Sequence, residues 1–422
     1  MSRLTIACGI WVASLGCVAE VIASDPSEPK PPLPLSPSAS ARHLRLPRGF
    51  RIELVASEPL VVEPSSVAFD SRGRMFVSEI HGFNLEGEID VAELNKTGKI
   101  DRSVRRIRWE RVGGRIAEAA KRGQYGTVKL LIDSDGDGRM DKAQVWADRL
   151  PPCYGILPFQ DGLVVVCAPD ILFLADRDGD GRAEVREMLL TGFRREFIER
   201  GINNPRWGLD NWIYNAKSDR RYKKVDGKWV MEKTPFRGQW GIDRDDYGRL
   251  YHNSNSTLLV GDYTFPNAIF GNSGAKIKNG IASRIGSNRV WPIRVNPGVN
   301  RGYINKLNGF GSNTIDSKTF KLINATGASG LAIYRGDNFP ADTYGWAFVT
   351  EPCGNLVKAI SIKDGAGSLT GSHPLGDKEF LASTDERFRP VNAYTAPDGS
   401  ADIELSVPSR WACRWVGHIP PN

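Results

Sequence analysis

Two acidic loops of the same spacing carry the clearest chemical signal in the sequence. Each has carboxylates at alternate positions before a glycine and one more acid after that glycine. The predicted ligands are Asp133, Asp135, Asp137 and Asp141 in the first loop and Asp176, Asp178, Asp180 and Glu184 in the second. Oxygen ligands at this spacing are typical of a loop that wraps Ca²⁺. The alternative is a pair of Asp-Gly turns that carry solvated charge.

The segments around both loops favour β-strands over helices. They are apolar or alternating, as in KLLI before Asp133 and ILFLA before Asp176, whereas an EF-hand has a helix on each side. Each loop is therefore predicted to join two neighbouring strands. Because 43 residues separate Asp133 from Asp176, the repeat has the length of one four-stranded blade of a β-propeller.

A strand, a turn and a second strand rich in aromatic or β-branched residues recur along the chain. The turns lie near Gly73, Gly162, Asn211, Gly248, Gly345 and Gly399. These turns predict an all-β protein with a six-bladed β-propeller fold. Two spacings exceed one blade and predict long loop insertions, at His81–Gly126 and at about Thr264–Thr326. We expect these insertions to form or cover the binding site.

The sequence before the propeller is predicted to be an export signal and a linker. Residues 1–24 contain Arg3, an apolar run and a small-residue cleavage position, which is the pattern of a signal peptide. Cys17 leaves a lipoprotein anchor open as an alternative. Residues 25–46 are rich in Pro and Ser and predict a linker without a core. The chain is therefore expected to be exported to the periplasm or the cell surface.

The end of the sequence departs from the propeller pattern. We assign residues 47–400 to the propeller domain and residues 401–422 to an atypical tail, because the tail fits no strand that we can pair. A truncated or out-of-frame end is the expected cause. The last blade is therefore predicted to be incomplete.

Composition excludes other classes of protein. The chain has 422 residues and a net charge of +7, but its Lys and Arg residues are scattered, so no nucleic-acid partner is expected. The cysteines after the signal are too few for a disulfide scaffold, although a Cys153–Cys167 bridge stays open. No C-x-x-C-H motif occurs, so no haem is expected in this chain.

Several motifs together resemble one protein family. Besides the acidic loops they are the segments Asn204–Tyr214, Gln239–Arg249, Asn253–Asn255, Ile333–Pro340, Glu351–Val357 and Phe380–Asn392. Through these motifs the chain is similar, over about Pro47–Gly399, to the membrane-bound dehydrogenase domain family. That family consists of six-bladed propellers related to the quinoprotein glucose and sorbosone dehydrogenases. The resemblance implies a dehydrogenase that uses pyrroloquinoline quinone (PQQ) and is stabilised by calcium.

The resemblance also implies roles for particular residues. In the quinoprotein relatives a His takes the substrate proton, and Arg and Asn side chains hold the carboxylates and the ortho-quinone of PQQ. The position that matches this His is Arg200 or Gly201, and His252 is the nearest substitute as a base. The cofactor-binding candidates are Arg206, Asn255 and Arg389. The alternatives are an ordinary strand histidine and arginines that bond backbone carbonyls.

Two functions therefore stay open. The first is an exported dehydrogenase that oxidises a sugar or another alcohol and passes electrons to an external carrier such as cytochrome c. The second is a non-catalytic propeller, derived from the enzyme family, that binds carbohydrate or another small ligand. The arginines and the acidic loops favour the first function, and the missing His and the absent haem motif favour the second.

Overall fold

The computed structural model describes most of the predicted propeller domain. The described residues are 35–80, 126–193, 201–263, 269, 272, 274, 282–295, 314–316, 318–319, 321–365, 368–385, 387–405 and 411–417. The predicted signal peptide, most of the Thr264–Thr326 insertion and all of the His81–Gly126 insertion except Gly126 lie outside these residues.

The described residues form six antiparallel sheets, which confirms the all-β prediction. The described part begins with a short helix α1 (Pro37–Ala41) and the strands β1 (Leu44–Arg45) and β2 (Phe50–Ser57). The first sheet contains β3 (Pro64–Phe69), β4 (Met75–Ile80), β5 (Gly126–Ile132) and β6 (Lys142–Leu150). The second contains β7 (Gly155–Phe159), β8 (Gly162–Cys167), β9 (Asp170–Ala175) and β10 (Val185–Leu190). The third contains β11 (Asn203–Trp207), β12 (Ile213–Ala216), β13 (Ser218–Val225) and β14 (Lys228–Arg237).

The remaining sheets follow the same pattern. The fourth contains β15 (Ile242–Arg244), β16 (Leu250–Ser254), β17 (Thr257–Asp262) and β18 (Ala282–Arg284). The fifth contains β19 (Leu331–Ile333), β20 (Ala347–Glu351), β21 (Leu356–Gly365), β22 (Ser368–Ser372) and β23 (Leu381–Ser383), with β1 at its edge. The sixth contains β24 (Pro390–Thr395), β25 (Ala401–Leu405), β26 (Trp411–Gly417) and β2. A short 3-10 helix, Ala341–Thr343, lies between β19 and β20.

The six sheets follow one another around a closed ring. The first strand of each sheet is its inner strand, and these strands are β3, β7, β11, β15, β19 and β24. Each inner strand contacts the next one, and β24 contacts β3. The fold is therefore a six-bladed β-propeller, as the sequence predicts.

Apolar side chains fill each interface between neighbouring sheets of the described ring. Between the first two sheets, for example, Phe76 and Trp146 pack edge to face at 5.1 Å beside Leu163. Comparable clusters lie at the other five junctions. A fully buried large apolar side chain contributes roughly 1.5–3 kcal/mol, so these interfaces hold the ring together.

A strand from the start of the propeller completes the sixth sheet. β2 pairs with β26, and β26 pairs with β25. This sheet therefore has four strands, which corrects the expectation of an incomplete last blade. The local pattern of residues 401–422 does not reveal the pairing because the partner strand lies near the other end of the sequence. That the tail is truncated or out of frame stays a prediction.

Part of the segment assigned to the linker also contributes to the fold. β1 pairs with β23, and Ala41, Leu44 and Leu46 pack against the apolar cluster between the fifth and sixth sheets. The hydroxyl of Ser40 donates a hydrogen bond to Asp385. Residues 37–46 therefore have core contacts that the Pro/Ser composition does not predict. No helix of the described part is long and apolar enough to cross a membrane.

The ring has two faces that carry different connections. The turns from first to second strand and the acidic loops lie on one face, which we call the turn face. The connections from second to third strand and from one sheet to the next lie on the other face. We call it the insertion face, because the His81–Gly126 insertion connects β4, which ends there at Ile80, to β5, which begins there at Gly126.

Candidate functional site

The first acidic loop joins β5 to β6 and brings carboxylates together. Side-chain oxygens of Asp133, Asp135 and Asp137 lie within 4.8 Å of one another. Asp133 accepts hydrogen bonds from the backbone N–H groups of Gly138 (2.9 Å) and Gly136 (2.7 Å). These bonds, that of Gly138 above all, lower the pKa of the Asp133 carboxyl. An ionised set of this kind could hold a divalent cation.

Asp141, the fourth predicted ligand of the first loop, is bonded to Ser134 instead. It accepts the backbone N–H of Ser134 at 3.0 Å and also the Ser134 hydroxyl. The hydroxyl is the main cause that lowers the pKa of Asp141. Asp141 is therefore not a member of the converging set.

The second acidic loop joins β9 to β10 and brings together a different set. Here oxygens of Asp176, Asp178 and Glu184 lie within 4.8 Å of one another. Asp176 accepts the backbone N–H groups of Gly179 (2.8 Å) and Gly181 (3.0 Å), as Asp133 does in the first loop. The fourth acid thus differs between the loops: Glu184 belongs to the converging set and Asp141 does not. The first acid bonds the two glycine N–H groups in the same way in both loops.

Asp180, the remaining predicted ligand, and Arg177 complete the second loop. Asp180 accepts the backbone N–H of Arg182 at 2.7 Å and is not in the converging set. The backbone N–H of Arg177 donates to Glu184 at 3.0 Å, while its side chain reaches Asp161 at 2.8 Å. The Arg177 side chain therefore does not bond Glu184 in the way that the Ser134 hydroxyl bonds Asp141 in the first loop.

Both acidic loops are also bonded to a neighbouring sheet. The backbone N–H of Met140 donates to the Val55 carbonyl of β2 at 2.8 Å. At the equivalent position of the second loop, the N–H of Ala183 donates to the Trp146 carbonyl of β6 at 2.7 Å. The Gln144 side chain adds a bond to the Asp180 carbonyl at 3.2 Å. The first loop thus bridges the sixth and first sheets, and the second bridges the first and second.

Buried polar residues fill the centre of the ring. Asn392 donates to the Asn204 side chain at 2.9 Å, and the Tyr394 hydroxyl lies 3.1 Å from the Ser66 hydroxyl and 3.4 Å from Asn204. Asn204 has a left-handed backbone with φ +46°. No pattern in the sequence singles out these residues for function. The sequence signal that could have pointed to Asn204 is an asparagine, a residue type that tolerates a left-handed backbone, directly before Pro205.

Arg206, a predicted PQQ ligand, lies on inner strand β11 toward the turn face. Its guanidinium lies over the Tyr394 ring at 4.7 Å, and its Nε is 3.9 Å from Asp243. Its Nη1 donates to the Pro205 carbonyl at 3.0 Å. Arg206 is therefore engaged with protein groups across the centre of the ring.

His252, the predicted base, lies on β16, the second strand of its sheet. Burial, with a smaller effect of the Arg237 charge, lowers the pKa of His252 to about 4. Its Nδ1 has no hydrogen-bond partner among the described residues. Nearby, Arg237 and Asp262 form a buried ion pair at 3.0 Å. The imidazole is therefore neutral at pH 7 and a weak base.

Asn255 and Arg389, the other two PQQ candidates, lie on the insertion face. Asn255 is exposed between β16 and β17, and its carbonyl accepts the N–H of Ala328 at 3.0 Å. Arg389 precedes β24 and donates to the Pro352 carbonyl at 2.8 Å. Among the described residues, no hydrogen bond, ion pair or ring contact joins His252, Arg206, Asn255 and Arg389 to one another. Their joint role stays a prediction.

A tightly bonded turn lies beside Arg389, between β20 and β21. The buried Glu351 carboxylate accepts the backbone N–H groups of Thr326 (2.8 Å), Gly327 (2.7 Å) and Gly354 (2.5 Å). Burial raises the pKa of Glu351, and the backbone donors oppose that rise. These bonds fix the Pro352–Asn355 turn and the segment before β19 in one arrangement.

The same turn brings in a second arginine that sequence analysis misses. Arg294 donates to the Asn355 side chain at 3.2 Å, and Asn355 donates to the Phe388 carbonyl at 2.7 Å. Arg294 and Arg389, both half-buried, thus lie at one junction of the fifth and sixth sheets. Arg294 lies in the second predicted insertion, Thr264–Thr326, whose sequence shows no alternation of apolar and polar residues that would assign Arg294 to a strand.

Cys153 and Cys167 are not joined by a disulfide bond. Cys153 and Cys167 are buried thiols, so the bridge that the sequence left open is not formed. Burial raises the pKa of both thiols. Neither is therefore suited to act as a nucleophile.

The ring and its acidic loops define a six-bladed propeller with two candidate cation sites. The chain belongs to the DUF7133 family, described as a domain of unknown function, whose model matches residues 36–402. No curated protein matches the chain. The predicted resemblance to the membrane-bound dehydrogenase domain family is more specific than this match and stays a prediction.

Solved structures with a similar fold include sugar dehydrogenases. The PQQ domain of pyranose dehydrogenase from Coprinopsis cinerea, in its holo form, is 12% identical, with a TM-score of 0.46, covering 93% of this chain and 99% of that one. The PQQ-bound aldose sugar dehydrogenase from Streptomyces coelicolor is 11% identical, with a TM-score of 0.44 and coverages of 88% and 99%. A Trichoderma reesei carbohydrate-active enzyme of family AA12 is 10% identical, with a TM-score of 0.48 and coverages of 89% and 98%. Similarity at this level does not identify functional residues.

Proposed function

We propose that this protein binds PQQ on its insertion face and oxidises a sugar or another alcohol. The observation that carries the proposal is the pair of half-buried arginines, Arg294 and Arg389, beside the bonded turn after β20. PQQ is a planar molecule that bears several carboxylates. The flat guanidinium of arginine suits such groups, because it can form two parallel hydrogen bonds to one carboxylate.

The groups at this junction fit a ligand of that kind. Arg389 bonds the Pro352 carbonyl through Nη1 and makes no other hydrogen bond or ion pair within the described part of the chain. Its remaining N–H groups are therefore available to a carboxylate. The Glu351 network holds the turn in place, so binding would need little reordering of the backbone. When bound, PQQ would accept the hydride of the substrate alcohol.

A dehydrogenase also needs a base for the proton of the alcohol. On the resemblance we assign this role to His252, with Asn255 as a further cofactor ligand. Arg206 lies toward the turn face and is not assigned to a site on the insertion face. His252 lies on a second strand beside the Arg237–Asp262 pair, and burial makes it a weak base. This environment supports a second candidate function. In that case the propeller binds carbohydrate without catalysis.

We also propose that the acidic loops bind Ca²⁺ and that the protein is exported. The loops bridge neighbouring blades, so a bound ion would stabilise the ring. The pattern of residues 1–24 supports export to the periplasm or the cell surface. Because no C-x-x-C-H motif occurs, electrons would leave through an external carrier such as cytochrome c.

Titration of the protein with PQQ in calcium buffer tests the proposal, together with dye reduction by a panel of aldoses and alcohols. We expect saturable binding and turnover. Arg389→Gln should weaken PQQ binding at least about tenfold, since a hydrogen bond to a charged group is worth roughly 1.5–3 kcal/mol. Arg389→Lys keeps the charge without the planar guanidinium, so its PQQ affinity should lie between those of the wild type and Arg389→Gln. Thermal unfolding of each variant checks that the fold is kept.

The two candidate functions give different results in this experiment. Sugar binding without PQQ binding would support the non-catalytic propeller. A protein that binds no PQQ, or an Arg389→Gln variant that binds it as tightly as the wild type, would contradict the assignment to the arginine pair.

A further inference from the structure

A cavity of about 610 Å³ opens on the turn face between the fifth and sixth sheets. One wall is the connection from β19 to β20, and the other is the turn from β24 to β25. The cavity lies at the opposite end of the ring from Arg294 and Arg389. Neither of these arginines lines it.

Hydrogen bonds and close backbone packing hold the two walls together. The Tyr334 hydroxyl donates to the Gly399 carbonyl at 2.5 Å and accepts the N–H of Phe339 at 2.8 Å. A Cβ atom at Gly336 would overlap that same carbonyl oxygen. Gly399 has φ +77°, which a residue with a side chain rarely adopts. The cavity is therefore formed before any ligand binds.

The cavity combines an exposed aromatic ring with fixed polar groups. Tyr344 is 52% exposed, and its hydroxyl donates to Asp246 at 2.7 Å. The other oxygen of Asp246 lies 3.5 Å from Nη1 of Arg335. One carboxylate thus orients both the ring and the guanidinium, while Asp337 adds an exposed carboxylate to the lining.

Arg335 also holds a donor that the protein does not use. Its Nε is buried and has no hydrogen-bond partner among the described residues. A buried N–H without an acceptor carries a cost of about 1–3 kcal/mol. Because this Nε is buried, a ligand in the cavity reaches Arg335 through the rest of its guanidinium, and the side chain as a whole is 29% exposed.

We propose that this cavity is a saccharide-binding site. The apolar C–H face of a pyranose ring would pack on Tyr344, as sugar rings and aromatic rings are complementary in shape and polarity. Sugar hydroxyls can both donate and accept, so they match a site lined by the Asp337 carboxylate and the partly exposed Arg335 guanidinium. Because charges of both signs line the site, a neutral polyol fits it better than an anion or a cation. The proposal does not depend on PQQ binding at the insertion face.

Affinity electrophoresis in gels that contain soluble xylan, hydroxyethylcellulose or soluble starch tests this inference. We expect at least one polysaccharide to retard the wild-type protein. Tyr344→Ala should weaken the binding by about tenfold, because it removes the stacking surface. Tyr344→Phe should keep most of the affinity. Arg335→Gln should weaken it by a smaller factor, since it removes the exposed donors of the guanidinium.

Two control variants separate this site from other exposed groups. Tyr247 is 74% exposed on a neighbouring turn and does not line the cavity, so Tyr247→Ala should be retarded like the wild type. Arg389→Gln should also be retarded like the wild type, whatever its effect on PQQ binding. The inference is supported if a polysaccharide retards the wild type and both control variants but does not retard Tyr344→Ala. Absence of retardation by all three polysaccharides, or equal retardation of Tyr344→Ala, overturns it.

Discussion

The two acidic loops have the same motif but bring different carboxylates together. In the first loop Asp141 is bonded to the hydroxyl and N–H of Ser134, so the converging set is Asp133, Asp135 and Asp137. In the second, Glu184 turns inward with Asp176 and Asp178. The loops differ in the residue after the first acid, which is Ser134 in one and Arg177 in the other, and in the length of the last acid, Asp141 against Glu184. A ligand pattern read from sequence therefore gives the candidates for a cation site but not its members.

Loss of the first acid of each loop should have the largest effect. Asp133→Asn and Asp176→Asn should each remove one calcium site in a calorimetric titration, and the double variant should bind none. A ligand present at about 100 times its Kd stabilises the folded state by about 2.7 kcal/mol, so each single variant should lose up to that amount in calcium. In excess EGTA the wild type and the variants should unfold at similar temperatures. A wild type that binds no calcium would contradict the assignment of both loops.

Loss of the last acid should separate the two loops. Glu184→Gln removes a converging carboxylate and should weaken calcium binding at the second loop by about tenfold, which equals about 1.4 kcal/mol. Asp141→Asn removes a carboxylate that is bonded to Ser134, so affinity at the first loop should change little. Calcium titration of each variant beside the wild type provides the measurement. Equal losses at both loops would show that Asp141 also binds the ion.

A glycine at the same position of each loop should give the smallest difference between the two loops. Gly138 (φ +88°) and Gly181 (φ +85°) are both left-handed, so alanine should cost each loop about 1–2 kcal/mol. A Cβ at 181 would also overlap Gln144, whereas a Cβ at 138 has open space around it. Gly181→Ala should therefore be the less stable variant, by about 1 kcal/mol or less, in urea unfolding. A reversed order would argue against the contact between Gln144 and the second loop.

The fold could be predicted in large part because blades are local. Along each strand apolar and polar residues alternate with a period of two, and similar turn residues recur at each blade. The closing pair of β2 and β26 could not be predicted, because strand pairing between distant segments leaves no local pattern. The contribution of α1 and β1 was hidden by the Pro/Ser composition around them.

The candidate sites were less predictable than the fold. Alternation places a residue on one side of a strand but does not tell the centre of the ring from the interface between two blades. Arg206 therefore lies near the axis, whereas His252 lies beside the Arg237–Asp262 pair. Arg294 joins Arg389 only through the folded turn at Asn355, which no spacing in the sequence indicates.

The pairing of β2 with β26 has a consequence for the order in which the protein folds. Apart from β1, β2 is synthesised before all the other described strands, yet its partner β26 is the last described strand to appear. Until then its edge is open and can pair with another chain. Contacts so distant in sequence form slowly, so ring closure should be the slow step of folding. A newly made chain would benefit from a chaperone that shields β2 until β26 has been made.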